Sequence, residues 1–271
     1  MSLEQKDLSQ ILETAAVAAR LAGQHAMEQM NYVHATRKNE SELVTRADTE
    51  CQQIIIRRIQ EMFPDHGFIA EEGEKGKLFK RSPRGEPAIW WAIDPIDGTN
   101  NFAHGMPIFT VSVAALFEGK PIVGVIFQPA TDSMFTAIKG GEAQLDGRHI
   151  VAGEDLIGPV TSVGLDSHFD DGLPPWACEI IKTSRFRNFG TTALHMAYVA
   201  RGGLVAAIVC TPKLWDIAAG VVIAEAAGAV ATDWKGEKLF PVDLDGYEGQ
   251  AFAIVTANRK VHPKLIELMN A

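Results

Sequence analysis

The residues best placed to do chemistry in this chain are two aspartates three apart in the stretch WWAIDPIDGTNNFAHG, Trp90 to Gly105. Asp94 and Asp97 follow an apolar run, are separated by Pro95 and Ile96, and lead into Gly98 and Thr99. Two carboxylates held about 4 Å apart at a surface-like dielectric repel by on the order of 4 kcal/mol. Such a pair is therefore either an open, solvated turn or the seat of a cation. Pro95 stiffens the turn, so that both aspartates leave it at fixed angles and the Ile96 carbonyl can turn inward beside them. Gly98 permits close backbone approach, and a helix opening at Gly98 or Thr99 would aim free N–H groups at an anion.

Two more carboxylate groups fall where the pattern changes. The pair Glu71-Glu72 closes the run HGFIAEEGE, and Asp216 opens the apolar stretch KLWDIAAGVVIAEAAG. Hard oxygen donors of this kind suit Mg²⁺, Mn²⁺ or Ca²⁺ better than zinc. Each also has a plainer reading: a solvated turn for Asp94 and Asp97, a polar strand end for Glu71-Glu72, a helix N-cap for Asp216. Their coexistence at strand–helix junctions favours a metal cluster beside an anion site, the outline of a phosphate-ester machine. The isolated His104, His195 and Arg201 read as structural.

The elements that must position these groups are visible as periodicity. Leu8, Ile11, Leu12, Ala15, Ala19 and Ala22 recur at helical spacing and predict a helix ending near Gly23 or the residues just after it. A second helix is expected from about Asp48 to Phe63, stopped by Pro64. HGFIAEEGE and AIWWAID read as strands ending in acid. From Thr110 to Ile138, β-branched runs broken at EGKP and PATD predict an antiparallel meander. Alternation then resumes: strand VTSVGLD, helix WACEIIKTS, loop FRNFGTT, helix ALHMAYVARGG, strand LVAAIVC, helix DIAAGVVIAEAAG and strand FAIVTAN. Two lobes meeting at a cleft are expected, residues 1–145 with the Glu-Glu and DPIDGT motifs and residues 146–271 with the WD motif.

Composition narrows the function classes. With 46% apolar and 22% charged residues the 271-residue chain should fold and bury a core. A net charge of −9 gives no support for direct nucleic-acid binding or an anionic membrane surface. Cys51, Cys178 and Cys210 are odd in number and dispersed, as expected of reduced thiols in a cytoplasmic protein. The N-terminal stretch carries Glu4, Lys6, Asp7 and Glu13, so no secretory signal is expected, and no apolar run is long enough to span a bilayer.

EEG after a strand, then WAIDPIDGTNNF, then WDIAAG, in that order and spacing, resembles the inositol monophosphatase family of the Mg²⁺-dependent, lithium-sensitive phosphatase superfamily. The resemblance covers nearly the whole chain, to FAIVTANRKVHPKLIE. It implies an α+β fold, a layered α-β-α-β-α sandwich of the inositol monophosphatase and fructose-1,6-bisphosphatase type. It also implies that Glu71, Asp94 and the Ile96 carbonyl hold one Mg²⁺, that Asp94, Asp97 and Asp216 hold a second, and that Glu71 shares in a weaker third site. Mn²⁺ could substitute, and Ca²⁺ or Li⁺ would inhibit. By the same resemblance Glu71 and Thr99 orient and deprotonate an attacking, metal-activated water, with Asp94 bridging the metals. The Gly98 and Thr99 N–H groups hold phosphate, and Gly190, Thr191 and Thr192 meet the rest of the substrate, together with Ile96, Asp97 and Asp216. Lys38, Asp48 and Glu72 are accessory candidates. A homodimer is implied as well.

One position departs from the family pattern. Seven residues before the aspartate of the WD motif, inositol-phosphate-hydrolysing members carry a glutamate that receives ring hydroxyls, and Val209 stands here. Hydroxyls facing a valine lose partners worth roughly 0.5–1.5 kcal/mol each. The substrate could then be another phosphomonoester, giving fructose-1,6-bisphosphatase, histidinol-phosphatase or 3′(2′),5′-bisphosphate nucleotidase activity. A haloacid-dehalogenase-type phosphatase is disfavoured, because D-x-x-D-G-T near residue 94 is neither its D-x-D-x-T spacing nor its place after a first strand. A partner of the transcription and RNA machinery is the non-enzymatic alternative, and a metal-binding structural protein would leave the Gly98-Thr99 anion site incidental.

Overall fold

The computed structural model describes residues 3–32, 35–37, 43–166, 169 and 172–270. Two helices begin the chain, α1, Gln5–Gln29, and α2, Arg46–Met62. Between them lies a short antiparallel ladder of β1, Ala35–Arg37, and β2, Leu43–Thr45. The candidate Lys38 falls outside the described residues. Helix α1 does not stop at Gly23 as its sequence suggests. A Cβ at Gly23 would lie 2.7 Å from the Phe127 ring and from Pro129, so the glycine serves close packing within the helix and not its end.

An eight-stranded sheet follows, built from β3, Gly67–Ala70, β4, Phe79–Arg81, β5, Ile89–Asp97, β6, Thr110–Phe117, β7, Lys120–Gln128, β8, Ser133–Ile138, β9, Gln144–Leu145, and β10, Arg148–His149. Its order is β10-β9-β8-β7-β6-β5-β3-β4. The expected meander is present as β6, β7 and β8, all antiparallel, whereas β3 runs parallel to β5. The one-turn helix α3, Thr99–Ala103, links β5 to β6.

The second sheet has five strands in the order β12-β11-β13-β15-β14, with β11, Ser162–Leu165, β12, Arg185–Arg187, β13, Ala206–Val209, β14, Val230–Asp233, and β15, Ile254–Ala257. Its helices are α4, Pro175–Thr183, α5, Thr192–Ala200, α6, Leu214–Ala226, and α7, His262–Met269. The start of FRNFGTT is not the expected loop. Phe186 and Arg187 pair in parallel with Val163 and Gly164, so this exposed segment becomes the edge strand β12.

The layers are α, β, α, β, α. Helices α1 and α2 cover one face of the first sheet through Ala15, Ala19, Ile55 and Ile59, which pack against Trp91, Val113 and Phe127. Helices α5 and α6 cover its other face, where Ala197, Ala218 and Ile223 meet Trp90, Leu116 and Phe135. Their far side lies on the second sheet through Met196, Ile217 and Val221. Helices α4 and α7 close the stack from outside. Among the described residues no helix is long and apolar enough to cross a membrane.

Helix α6 approaches β7 closely. A Cβ at Gly124 would stand 2.5 Å from the Ala219 carbonyl oxygen and 3.0 Å from its Cα. Gly124→Ala is therefore expected to push α6 off the sheet and to lower stability by about 1–3 kcal/mol, the usual penalty of overpacking. A urea midpoint equal to the parent's at unchanged slope would show that α6 yields freely there.

Candidate active site

In regular strand alternation, residues three apart face opposite sides of a sheet. Asp94 and Asp97 nevertheless face the same side, because β5 carries an irregularity between them. Asp94 pairs with Ser112 and Asp97 with Thr110, so Pro95 and Ile96 together stand opposite Val111. Ile96 points into the core under α1 and α2, while both aspartates turn towards the layer of α5 and α6. The sequence suggested a turn at Pro95. The structure has instead a bulge in a central strand, a setting that tolerates a residue with no N–H to give. Gly98 then takes φ +101, and a Cβ there would crowd the carbonyl oxygens of Ile108 at 3.1 Å and Gly190 at 3.2 Å.

Asp97 is fixed by α5. Its Oδ2 accepts from the Thr191 hydroxyl, from Ala193 N at 2.7 Å and from Thr110 Oγ1 at 3.3 Å, and its Oδ1 accepts from Thr192 N at 3.2 Å. A carboxylate from another element thus caps the start of α5, where N–H groups lack partners and the helix dipole favours negative charge. Burial still pushes the Asp97 carboxyl up to about 6, against those hydrogen bonds. Thr191 is 3% exposed and is itself the N-cap of α5, accepting from Leu194 N. It stands behind Asp97, and neither it nor Gly190 and Thr192 lines the cavity described below.

Asp216 sits in the first turn of α6, not at its N-cap, and accepts from the Lys213 N–H at 2.6 Å. Ser112 Oγ donates to the Trp215 carbonyl at 2.9 Å, tying this turn to β6 beside Asp94. The Asp94 and Asp216 carboxyls interact side chain to side chain. Burial, then the charges of Glu71, Asp216 and Asp97, raise the Asp94 carboxyl well above the ordinary carboxylate range. Burial and the Asp97 charge push Asp216 up to about 7, although the residue keeps some exposed surface. Three acids in one field thus hold protons that isolated aspartates would have lost by pH 5.

Glu71 leaves the end of β3, where its N–H bonds the Ile93 carbonyl at 3.2 Å. The main chain of Glu72 is clamped by Gln52 of α2, which accepts from Glu72 N at 2.8 Å and donates to its carbonyl at 2.6 Å. Asp48, fully buried at the start of α2, has two tasks. Its Oδ2 takes the N–H and hydroxyl of Thr45, capping the helix, and its Oδ1 takes the Thr99 hydroxyl at 3.0 Å. The same hydroxyl lies 3.0 Å from the Ile96 carbonyl, so its single proton can serve either. Burial pushes Asp48 up to about 6 against the bonds from Thr45, with the Glu72 charge adding to the rise.

These groups open on one cavity of about 810 Å³. Glu71, Asp94, Ile96, Asp97, Gly98, Thr99 and Asp216 line it, whereas Glu72 and Asp48 do not. The sequence reading missed the residues that close the other walls, from Gly76 to Leu78 and from Tyr247 to Gly249, together with Lys80, Thr211 and Lys213. It also missed Asn101, whose amide donates to the Ile108 and Phe189 carbonyls at 2.7 and 2.6 Å and so holds α3 against two loops. Polar residues inside apolar strands, such as Ser112, were the available signal. Val209 does not line this cavity; it is 6% exposed and packs among Met196, Ile217 and Ile254. His195 is buried and accepts the Phe189 N–H, His104 bonds the Asn100 carbonyl and Arg201 lies over the Tyr198 ring, all as structural residues.

The donor set fits a hard divalent cation in kind. It offers four carboxylates and a main-chain carbonyl, and no histidine or cysteine lines the cavity. Among the described residues no group of three or more histidine, cysteine, aspartate or glutamate side chains is gathered as a ready metal-holding set. Both oxygens of Asp97 already accept hydrogen bonds, Oδ2 from Thr191, Ala193 and Thr110 and Oδ1 from Thr192.

The family model described as "Inositol monophosphatase family" matches residues 5–271. A Vibrio cholerae protein named Nus factor SuhB is 35% identical over 237 residues, covering 83% of this chain and 86% of its own. A Thermotoga maritima protein named fructose-1,6-bisphosphatase/inositol-1-monophosphatase is 32% identical over 232 residues, covering 84% and 83%. The solved Thermotoga maritima IMPase superposes with a TM-score of 0.81 at 30% identity, covering 96% of this chain and 97% of its own. The native suhB protein of Bartonella henselae gives 0.81 at 28%, covering 96% and 98%. With the family matched from Gln5 to the last residue and the five-layer fold shared with solved relatives, the chain belongs to the inositol monophosphatase family of phosphatases.

Proposed function

We propose that this protein is a Mg²⁺-dependent phosphomonoesterase acting on a small phosphate ester. The observation that carries the reading is the convergence of Glu71, Asp94, Asp97 and Asp216 on one cavity beside Thr99. Glu71, Asp94 and the Ile96 carbonyl would hold one Mg²⁺, and Asp94, Asp97 and Asp216 a second. Cations held there would neutralise phosphoryl and leaving-group oxygens and would acidify a water. Asp48 holds the Thr99 hydroxyl on the cavity wall, and Thr99 and Glu71 would together orient and deprotonate an attacking water, the proton ending on the Glu71 carboxylate. The main-chain N–H groups of Gly98 and Thr99 face the phosphate. The test is phosphate release from inositol 1-phosphate, fructose 1,6-bisphosphate, histidinol phosphate and adenosine 3′,5′-bisphosphate, with Mg²⁺ and with chelator. Hydrolysis of none of them while Mg²⁺ still binds would remove the catalytic reading.

A second reading rests on the relatives named Nus factor SuhB, among them proteins of Vibrio cholerae and Escherichia coli. A role as partner of the transcription machinery could coexist with hydrolysis. Co-purification with RNA polymerase from a lysate, for the parent and for an inactive variant alike, would support it.

Metal binding should also be legible in stability. Mg²⁺ binds the folded state, so it raises the melting temperature by mass action. Asp97 and Asp216 carry folded-state carboxyls near 6 and 7 against an ordinary 3.8. Without metal they retain protons that the unfolded chain has released, so their contribution to stability falls as pH rises from about 4 to about 7. Mg²⁺ must displace those protons. The Mg²⁺-induced rise is therefore expected to be small at pH 5 and to grow up to about pH 7.5. Taking the difference with and without metal cancels the opposing contribution of His66 and His195, both held down near 4 by burial. A shift that is absent, or equal at both pH values, would count against the cluster.

A further inference from the structure

Residues 234–253 connect β14 to β15 without a helix or strand of their own, and irregular chain of that length inside a compact domain usually has a task. Its second half is bonded on both sides of the candidate site. On the side of the first sheet, Val242 N donates to the Gly119 carbonyl at 2.9 Å, and the Lys80 ammonium donates to the carbonyls of Asp245 and Tyr247 at 2.6 and 2.9 Å. Lys80 lies on β4 opposite Ile69 of β3, the strand from whose end Glu71 leaves. On the side of α6, the Tyr247 hydroxyl accepts from Leu214 N at 3.0 Å and donates to the Gln250 carbonyl at 2.9 Å. Phe252 N donates to the Pro212 carbonyl at 2.7 Å. Leu214 is the first residue of α6, two before Asp216.

Leu214 is fully buried, and its N–H is one of those at a helix start that the helix itself leaves without an acceptor. Tyr247 supplies that acceptor. It is 3% exposed, its ring stacked on Phe252 and set edge-on against Trp215, so its hydroxyl is held in place. Asp216 accepts from Lys213 N, so the direction of its carboxylate follows the main chain of this turn. Ser112 fixes the turn at one point, the Trp215 carbonyl, and a single hydrogen bond leaves it free to pivot. The bond at Leu214 removes that freedom. We infer that Tyr247 and Lys80 are positioning residues which, through the segment between them, tie the head of α6 to the β3–β4 edge and so set the separation of Asp216 from Glu71 across the cavity. The role presupposes the metal assignment proposed above. Mg²⁺ demands near-ideal octahedral geometry, so carboxylates that approach it from two different elements gain from a fixed spacing.

The test is the Kd of Mg²⁺ for the full chain by titration calorimetry, read beside melting in chelator and phosphate release at varied Mg²⁺. Tyr247→Phe removes only the hydroxyl and keeps the ring, and Lys80→Met keeps the stem. Each should raise the Kd by about tenfold, the usual effect of removing a group that orients a metal ligand. Each should leave KM for the ester at saturating Mg²⁺ unchanged. Lys80→Arg should recover part of the affinity, since a guanidinium can still donate to both carbonyls. The double variant should bind Mg²⁺ no more weakly than the worse single one, because two residues acting through one segment are not additive. A lower melting temperature in chelator with the parent's Kd would make both residues structural and overturn the inference. So would effects on Kd that multiply in the double variant, or a rise in KM without a change in Kd, which would make Lys80 a substrate contact. If Mg²⁺ binds but no ester is hydrolysed, the phosphatase reading falls while the calorimetric comparison still decides this role. If the parent binds no Mg²⁺, the metal assignment falls and the role with it.

Discussion

Asp94→Asn is expected to lower kcat by about 10³-fold or more while the protein stays folded. The lost charge belongs to the carboxylate assigned to both metals, where several kcal/mol of charge stabilisation are concentrated, and each 1.36 kcal/mol is tenfold in rate. The fold should survive because asparagine keeps the geometry. Its carbonyl oxygen can still accept the Ile96 N–H that Asp94 Oδ1 accepts at 3.0 Å. Its amide can donate to the neighbouring Asp216 carboxylate. In chelator the variant should melt no lower than the parent, since a buried acid in the field of Glu71, Asp216 and Asp97 has been neutralised. The Mg²⁺-induced rise in melting temperature should shrink together with the rate. Activity within tenfold of the parent would remove Asp94 from the bridging position.

The acids were legible because they interrupt apolar runs. Asp94 and Asp97 end IWWAI, Glu71 ends GFIA and Asp216 stands at the head of an apolar helix. Helix α2 and the β6–β8 meander were legible to within a few residues. Missing from the sequence reading was whatever depends on partners far away in the chain. α1 runs past Gly23 because Phe127, on a later strand, needs the space. The strand β12 forms because β11 leaves an edge open to Arg185–Arg187, a segment with no apolar alternation of its own. The DPID stretch reads as a turn from Pro95 alone, and only the pairing with Val111 makes it a bulge. The roles of Gly190, Thr191 and Thr192 differ for the same reason. A Gly-Thr-Thr before a helix predicts capping, but nothing local says that the carboxylate brought to the cap is Asp97.

That last contact gives the second large effect. Asp97→Ala should destabilise the protein by about 2–5 kcal/mol, because donors at the buried start of α5 lose their acceptor at about 1–3 kcal/mol each. The Ala193 N–H lies in the first turn of α5, where the helix offers it no main-chain acceptor, and Ala193 is fully buried. The Thr191 and Thr110 hydroxyls lie 3.4 Å apart and can turn to each other, which limits the loss. Against a total stability of about 5–15 kcal/mol this is a large share, and the melting temperature should fall accordingly. Asp97→Asn separates the two tasks of the residue. Its side-chain oxygen can still accept at α5, so denaturation should show it closer to the parent than to Asp97→Ala, while its lost charge should still depress Mg²⁺-dependent phosphate release. If instead the two variants unfold at the same denaturant concentration, α5 is not held by the Asp97 carboxylate, and the residue belongs to the metal site alone. If Asp97→Asn keeps full activity, the reverse follows, and Asp97 serves to place α5 beside Asp94 and Asp216 without holding a cation itself.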